Sequence, residues 1–407
     1  MPYITQRGQA AEYHDLFRQR GATLALFCTA SHWNTEAILL AAQRIGEKYH
    51  LSHVPVGVAM TGTYPHMPQA RRATYSGDAR VGFLSVMAHL RLLTDDDDAP
   101  YRTVAALPHL DHHDPVNDRW ALTEGVEHVA TVMFDAQKYA LDENIALTRD
   151  YVAAYGARVM VEGILEELSV AGMKDAVQKD DYIDKATDYI ARTGVDFIVA
   201  DLGTEQQSVH TGGVTYLKAR AQALTQALGS ARLVLHGTSS LQPAQMQNLA
   251  EDGVVRANMW TRIVRESGQA AAARLMARYG QIERGDFEAT EANQYLRDNI
   301  EVAAERMVEV RAAVIHALAA DESQPRRVVR NAETKCVGDV FLGALQQRRR
   351  EHHDLVRDGQ RGEHAAAPND DAGIGLDLDE DDGTVDGAVD ARRPARHRRV
   401  EGVSGEA

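Results

Sequence analysis

The residues best equipped for chemistry form one short run, Pro108-His109-Leu110-Asp111-His112-His113-Asp114-Pro115. A carboxylate set between imidazoles can hold a divalent ion and still leave an acid or base beside it. The run closes an apolar stretch, residues 103–107, that reads as a buried strand. The two prolines suit a chain that leaves a strand for a loop and then a helix. A polar turn has the same composition, so the weight of the reading falls on what surrounds the run.

What surrounds it is a repeated alternation of short apolar runs and amphipathic stretches. Strand candidates fall at residues 24–29, 55–61, 103–109, 131–135, 158–164, 196–202, 232–236 and 254–258. Helical spacing appears between them: Ile38, Leu39, Ala42 and Ile45; then Phe83, Leu84, Met87 and Leu90; then Ile145, Leu147, Tyr151 and Val152; then Ile183, Ala186 and Ile190. Further helices are expected at 242–249 and 268–279. Near-continuous apolar strands separated by helices predict a parallel sheet covered by helices. Their count, within about 250 residues, predicts an α/β fold of the (β/α)8 TIM-barrel type. An open doubly wound sheet is the alternative, but neither G-x-G-x-x-G nor G-x-x-x-x-G-K-[ST] follows an early strand. The polar residues gather at the carboxyl ends of the strands: Asp111 and His112, Asp135 and Gln137, Glu162, Glu205 and Gln206, His236, and Asn258. In a barrel that rim is where active sites are built.

Composition sets the outer limits. The chain has 407 residues, of which 44% are hydrophobic and 25% charged, as in a globular protein. A net charge of −15 disfavours nucleic acid and anionic membranes as partners. Cys28 and Cys336, far apart, make no disulfide framework and fit a reducing compartment. No apolar run approaches the roughly 18–20 residues of a membrane span, and no signal sequence opens the chain. The expectation is a soluble cytoplasmic protein. The acid run at 94–98 reads as a solvated loop.

The barrel is expected to occupy residues 1–280, with a helical extension over 281–356. In that extension Tyr295, Leu296, Ile300, Met307, Val310, Val314 and Leu318 form one apolar face, which is expected to pack on the barrel or on a second subunit of a homo-oligomer. A shorter helix is expected at 337–350. From 357 to 407 the pattern fails; an Asp- and Gly-rich segment and then a basic one predict a disordered tail.

Through residues 21–277 the motifs resemble those of the class II, metal-dependent fructose-bisphosphate and tagatose-bisphosphate aldolases. His109-Leu110-Asp111-His112 is similar to that family's H-L-D-H. Val132-Met133-Phe134-Asp135-Ala136 with Glu143-Asn144-Ile145 is similar to V-M-I-D-G…E-E-N-I, and Val161-Glu162 to the start of V-E-x-E-L-G. Thr193-Gly194-Val195-Asp196 with Leu202-Gly203-Thr204 resembles T-G-V-D…I-G-T-A-H-G. Leu233-Val234-Leu235-His236-Gly237 with Ser239 resembles L-V-L-H-G-G-S, and Asn258 with Thr261 resembles N-V-D-T.

The resemblance implies a catalytic site in which Asp111 exchanges a proton with the hydroxyl at the cleaved bond. It implies a divalent metal, zinc in the first place, on His112, His236 and a third group. The family's third histidine falls on Gln206, with Glu205 beside it and His210 further along as substitutes. A carboxylate on the loop after strand five moves the carbon-bound proton in the family, and here that loop offers Asp175. Substrate contacts are implied for Thr61, Gly203, Gly237, Ser239, Asn258 and Thr261. The departures cluster at the site: Ile164 replaces a glutamate, Gln207 a glycine and Trp260 an aspartate. They point to an altered sugar or sugar-phosphate substrate. The alternatives are a non-catalytic homologue that binds a sugar phosphate, and an epimerase or isomerase that keeps the metal. Deletion of the chain beyond Arg357 is expected to leave the melting temperature unchanged, because the segment has too few apolar residues to offset its ordering entropy; a loss of several degrees in a thermal melt would contradict this.

Overall fold

Eight parallel strands close into a barrel in the order β1 to β8, in a computed structural model that describes residues 3–166, 181–208, 216–286 and 292–319. The strands are β1 Leu24–Cys28, β2 Val54–Thr61, β3 Val104–His113, β4 Thr131–Phe134, β5 Met160–Ile164, β6 Phe197–Val199, β7 Leu233–Leu235 and β8 Val254–Met259. Around them run α1 Arg7–Gln19, α2 His32–Tyr49, α3 Gln69–Arg72, α4 Ala79–Thr94, α5 Arg119–Thr123, α6 Leu141–Tyr155, α7 Tyr182–Thr193, α8 Lys218–Leu228, α9 Thr261–Ala277, α10 Tyr279–Glu283 and α11 Ala292–Ala319. This is the (β/α)8 barrel that the alternation of strands and helices predicts.

Side chains alternate across each strand, so the strands feed two cores. On β3, Val104, Ala106 and Leu110 face the helical layer, while Ala105 and Leu107 join Leu24, Met133, Ile164, Phe197 and Val234 inside the barrel. Burial on both faces explains why these strands read as unbroken apolar runs. Local chemistry sets the helix starts: Ser31 Oγ accepts from Asn34 N at 3.1 Å to open α2, and Asp78 Oδ1 accepts from Val81 N at 2.9 Å to open α4.

The structure differs from the sequence expectation at several elements. Pro108 lies within β3, not at its exit, and its carbonyl accepts from Ala130 N at 2.9 Å. Residues 242–249 form 3-10 turns at Pro243–Met246 and Leu249–Asp252, where Pro243 favours a tight start over a full helix. Beside the short α3, α5 and α10, two longer helices come unannounced: α8, whose alanine-rich face carries weak periodicity, and α1. Ala10, His14 and Phe17 of α1 are buried, and the helix closes the floor of the barrel, where Arg7 grips the Asp196 carboxylate with both terminal guanidinium nitrogens. The run Asp95–Asp98 is exposed, as a solvated loop should be. α11 packs on α2 and α9 of its own chain through Val302, Ala303, Ala304, Met307 and Val310, with Arg44 paired to Glu301 at 2.7 Å. No helix among the described residues is long and apolar enough to cross a membrane. Asp175, His210, the helix expected at 337–350 and the tail from 357 lie outside the described residues.

His14 links this floor to acid stability. Its ring lies 4.8 Å from that of Phe197, Nδ1 bonds to Ala10 O at 2.7 Å, and burial pushes its pKa down from 6.5 to about 3. Below pH 6.5 the unfolded chain takes up this proton and the folded chain does not, so stability falls as pH drops from 6.5 towards 3. This one group is expected to remove roughly 2 kcal/mol between pH 7 and pH 5. In His14→Phe the slope of unfolding free energy against pH should drop by nearly one proton; urea titrations at a series of pH values will read it, and an unchanged slope would rule the assignment out.

Candidate active site and metal centre

The site owes its shape to an irregularity in β3. Its register against β4 shifts between Leu110 and His113, and His112 takes a left-handed conformation with φ 48°. Alternation alone would send Asp111 inward and His112 outward. The extra residue breaks that rule and lets both line one cavity at the mouth of the barrel. His236, from the end of β7, lines it too, and the rings of His112 and His236 meet edge to face with centroids 5.1 Å apart. Asp111, His112 and His236 each place one donor atom within 4.8 Å of the others.

Each imidazole is backed by a carboxylate. His112 Nδ1 donates to Asp135 Oδ2 at 2.7 Å, and that carboxylate also accepts from Gln137 Nε2 at 3.1 Å. Burial opposes protonation of His112, but the Asp135 bond and the charge of Asp111 outweigh it, and its pKa stands above the ordinary imidazole value. His236 Nε2 lies 3.4 Å from Glu162 Oε1 and 3.0 Å from Asn258 Nδ2. Burial pushes the pKa of His236 down to about 4, which keeps the ring neutral near pH 7. His112 thus commits Nδ1 and leaves Nε2 as a ligand atom, and His236 leaves Nδ1 in the tautomer whose Nε2–H is donated to Glu162, the arrangement that orients metal-binding histidines. Two imidazoles with an oxygen donor alongside fit a divalent ion.

Two uncharged side chains hold the Asp111 carboxylate. Asn258 Nδ2 donates to its Oδ1 at 3.2 Å, and the Cys28 thiol donates to its Oδ2 at 3.5 Å. Burial, then the charge of Asp111, push the Cys28 pKa up, so the sulfur stays a thiol. One layer deeper, Glu162 is ion-paired with Arg256, both fully buried. Arg256 Nη1 also reaches Thr131 Oγ1 at 3.3 Å, and the same hydroxyl bonds to His109 Nδ1 at 2.7 Å. Burial and then Arg256 hold the pKa of His109 well below the ordinary value, so this first histidine of the motif is a neutral core residue.

The rim unites most of the residues singled out in the sequence. Thr61, Gln206, Gly237, Ser239, Asn258 and Thr261 line the cavity with Asp111, His112 and His236. The Thr61 hydroxyl is nonetheless committed to its own loop, donating to Met67 O and accepting from Gln69 N at 3.0 Å. Gly237 has φ 69°, and a Cβ there would meet the Glu205 backbone at 2.9 Å, so the turn under the cavity needs glycine. Glu205 and Gly203 are not brought in: neither lines the cavity, and Glu205 does not join the cluster of donor atoms. Trp260 walls one side and packs on Leu26, Cys28 and Ala59. The sequence reading overlooked Cys28, Tyr64 and Arg256. Arg256 carried a legible signal, since a charge inside an apolar strand demands a partner, and Glu162 is the acid in the same situation.

This fold with this rim defines a class. The family model of class II fructose-bisphosphate aldolase matches residues 10–323, and the chain belongs to that family. A 6-phospho-5-dehydro-2-deoxy-D-gluconate aldolase of Shouchella clausii is 33% identical over 187 residues, covering 44% of this chain and 60% of its own length. A fructose-bisphosphate aldolase of Streptococcus pneumoniae is 28% identical over 193 residues, covering 47% and 61%. The chain therefore matches about three-fifths of the length of these relatives. Two solved structures share the fold: the fructose-bisphosphate aldolase of Campylobacter jejuni, with TM-score 0.57 and 16% identity over 76% of this chain and 95% of that one, and the YdjI aldolase of Escherichia coli K12, with TM-score 0.51 and 19% identity over 74% and 95%.

The buried ion pair makes a stability test. Glu162→Gln leaves Arg256 charged and unpaired in the barrel, which should cost about 3–5 kcal/mol. Glu162→Gln with Arg256→Met should recover a large part of that. Chemical denaturation of the three proteins measures it, and a cost below about 1 kcal/mol for the single variant would contradict the pairing.

Proposed function

We propose that this chain is a metal-assisted carbon–carbon lyase, cleaving and in reverse forming an aldol bond in a sugar or sugar phosphate other than fructose 1,6-bisphosphate. The observation that carries this reading is the setting of Asp111. It is a buried carboxylate, oriented by Asn258 and Cys28, adjacent in sequence to His112 and beside His236, in a member of the class II aldolase family. In the cleavage direction Asp111 takes the proton of the hydroxyl at the bond to be broken. That oxygen becomes an aldehyde, and the electron pair of the broken bond passes to the carbon next to the ketone. Condensation runs the same steps backwards, with Asp111 returning the proton. A divalent ion held by His112, His236 and the Gln206 oxygen, zinc being the first candidate, would supply an electrophile for the oxygen that gains charge. Asp175 is the group we assign to the proton on carbon.

The substrate is the part of the family pattern that has moved. Ser239, Gly237 and the start of α9 at Thr261 border the cavity, and a helix start suits a phosphate. Gln207 and Trp260 in the same wall alter the grip on a bisphosphate. The name of the Shouchella relative makes 6-phospho-5-dehydro-2-deoxy-D-gluconate the first compound to try. Gln206, in place of an imidazole, is the observation that favours a second reading, a homologue that binds a sugar phosphate without cleaving it or only isomerises it. We take the setting to be a cytoplasmic homo-oligomer.

Asp111→Asn should reduce cleavage by about 10²–10⁴ while the protein keeps its metal, because an amide cannot exchange the proton. His112→Ala should lose both metal and activity. Turnover assays paired with elemental analysis read the two effects apart. Rapid cleavage of fructose 1,6-bisphosphate by the purified chain would remove the altered-substrate reading, and a metal-free, inactive protein would favour the non-catalytic one.

A further inference from the structure

One hydrogen bond crosses the mouth of the barrel. Tyr64 lies on the loop after β2 and Gln206 on the loop after β6, and these strands stand opposite each other in the closed order. The Tyr64 hydroxyl donates to Gln206 Oε1 at 3.1 Å. Its ring lies nearly parallel to that of His112, with centroids 4.2 Å apart and planes at 13°. The loop that carries Tyr64 is pinned: Thr63 N donates to Asp118 Oδ1 at 2.8 Å, and the other oxygen of that carboxylate accepts from Asp114 N at 3.0 Å. One tyrosine thus touches the first histidine of the centre and the residue standing where a third imidazole is expected.

The chemistry of that contact is specific. An amide has an oxygen with two lone pairs and a nitrogen with none to give. A phenol that donates to Oε1 decides which end of the amide it holds and takes one lone pair, leaving the other for a cation. The donor set is then two imidazoles and a neutral oxygen, with the Asp111 carboxylate within 4.8 Å of both histidines. Imidazole suits zinc, whereas carbonyl and carboxylate oxygens suit magnesium and manganese. We propose that Tyr64 is the positioning residue that makes Gln206 an oxygen ligand, and that the resulting centre narrows zinc's advantage over harder divalent ions such as manganese. The inference rests on the reading that His112 and His236 hold an ion.

Equilibrium dialysis of the metal-free chain against Zn²⁺ and Mn²⁺, with elemental analysis, tests it without an activity assay. Gln206→His, which restores an imidazole, should raise the ratio of zinc to manganese affinity at least about tenfold. Tyr64→Phe keeps the ring on His112 and removes only the hydroxyl. It should weaken Mn²⁺ binding by about tenfold, the scale of a lost supporting contact, and have no effect in the Gln206→His background. The same zinc-to-manganese ratio in the parent and Gln206→His, or an equal effect of Tyr64→Phe in both backgrounds, would overturn the proposal while leaving a metal centre in place. Failure of every variant to bind either ion would overturn the metal reading itself, and this inference with it.

Discussion

The pair of Glu162 and Arg256, with no exposure to solvent, is the constraint around which the rest of the barrel is arranged. A barrel interior is ordinarily filled with branched apolar side chains in layers. Placing two charges there strips both of water, a penalty that only good geometry and further hydrogen bonds offset. The neighbouring side chains meet part of that demand, Arg256 Nε having no hydrogen-bond partner among the described residues. Thr131 of β4 gives Arg256 a second contact, and His109 of β3 bonds to the same hydroxyl. Glu162 of β5 turns its other oxygen toward His236, just beyond the end of β7. Side chains from β3, β4, β5 and β8, together with His236, are thereby tied at one level, directly beneath the candidate site.

That level supports the level above it. His236 is neutral because it is buried, and it is aimed because Glu162 and Asn258 lie against one of its nitrogens. Asn258 connects His236 to Asp111, so one amide sets two of the three groups around the centre. Asp135 orients His112 from the opposite wall. Positions of this kind need side chains whose own rotamers are locked, and here the locking groups are themselves hydrogen-bonded.

The barrel was legible because strands buried on both faces give unbroken apolar runs, a signal that needs no knowledge of which strands pair. The rim residues were legible for the same reason: once the strand ends are known, Asp111, His112, His236 and Asn258 fall at one end of the sheet. What escaped the sequence depends on contacts across the barrel. Nothing in the order of residues says that Tyr64, on the far side of the mouth, meets Gln206, or that Cys28 sits against Asp111. α8 escaped because alanine serves a buried and an exposed face alike, and Pro243 turned an apparent helix into 3-10 turns. Glu205 was attractive as a charged ligand, but Gly237 packs on its backbone and Gln206 is the residue that reaches the cavity.

The left-handed turn at His112 places the acid and one of the histidines of the proposed chemistry on one stretch of backbone. Asp111 and His112 are consecutive residues that line one cavity. Covalent bonds and backbone dihedrals therefore set the spacing of the two Cα positions, and side-chain torsions held by Asn258 and Asp135 set that of the carboxylate and the ring. In the proposed function, one histidine thus shares a peptide link with the acid, and the other comes from the end of a strand across the barrel.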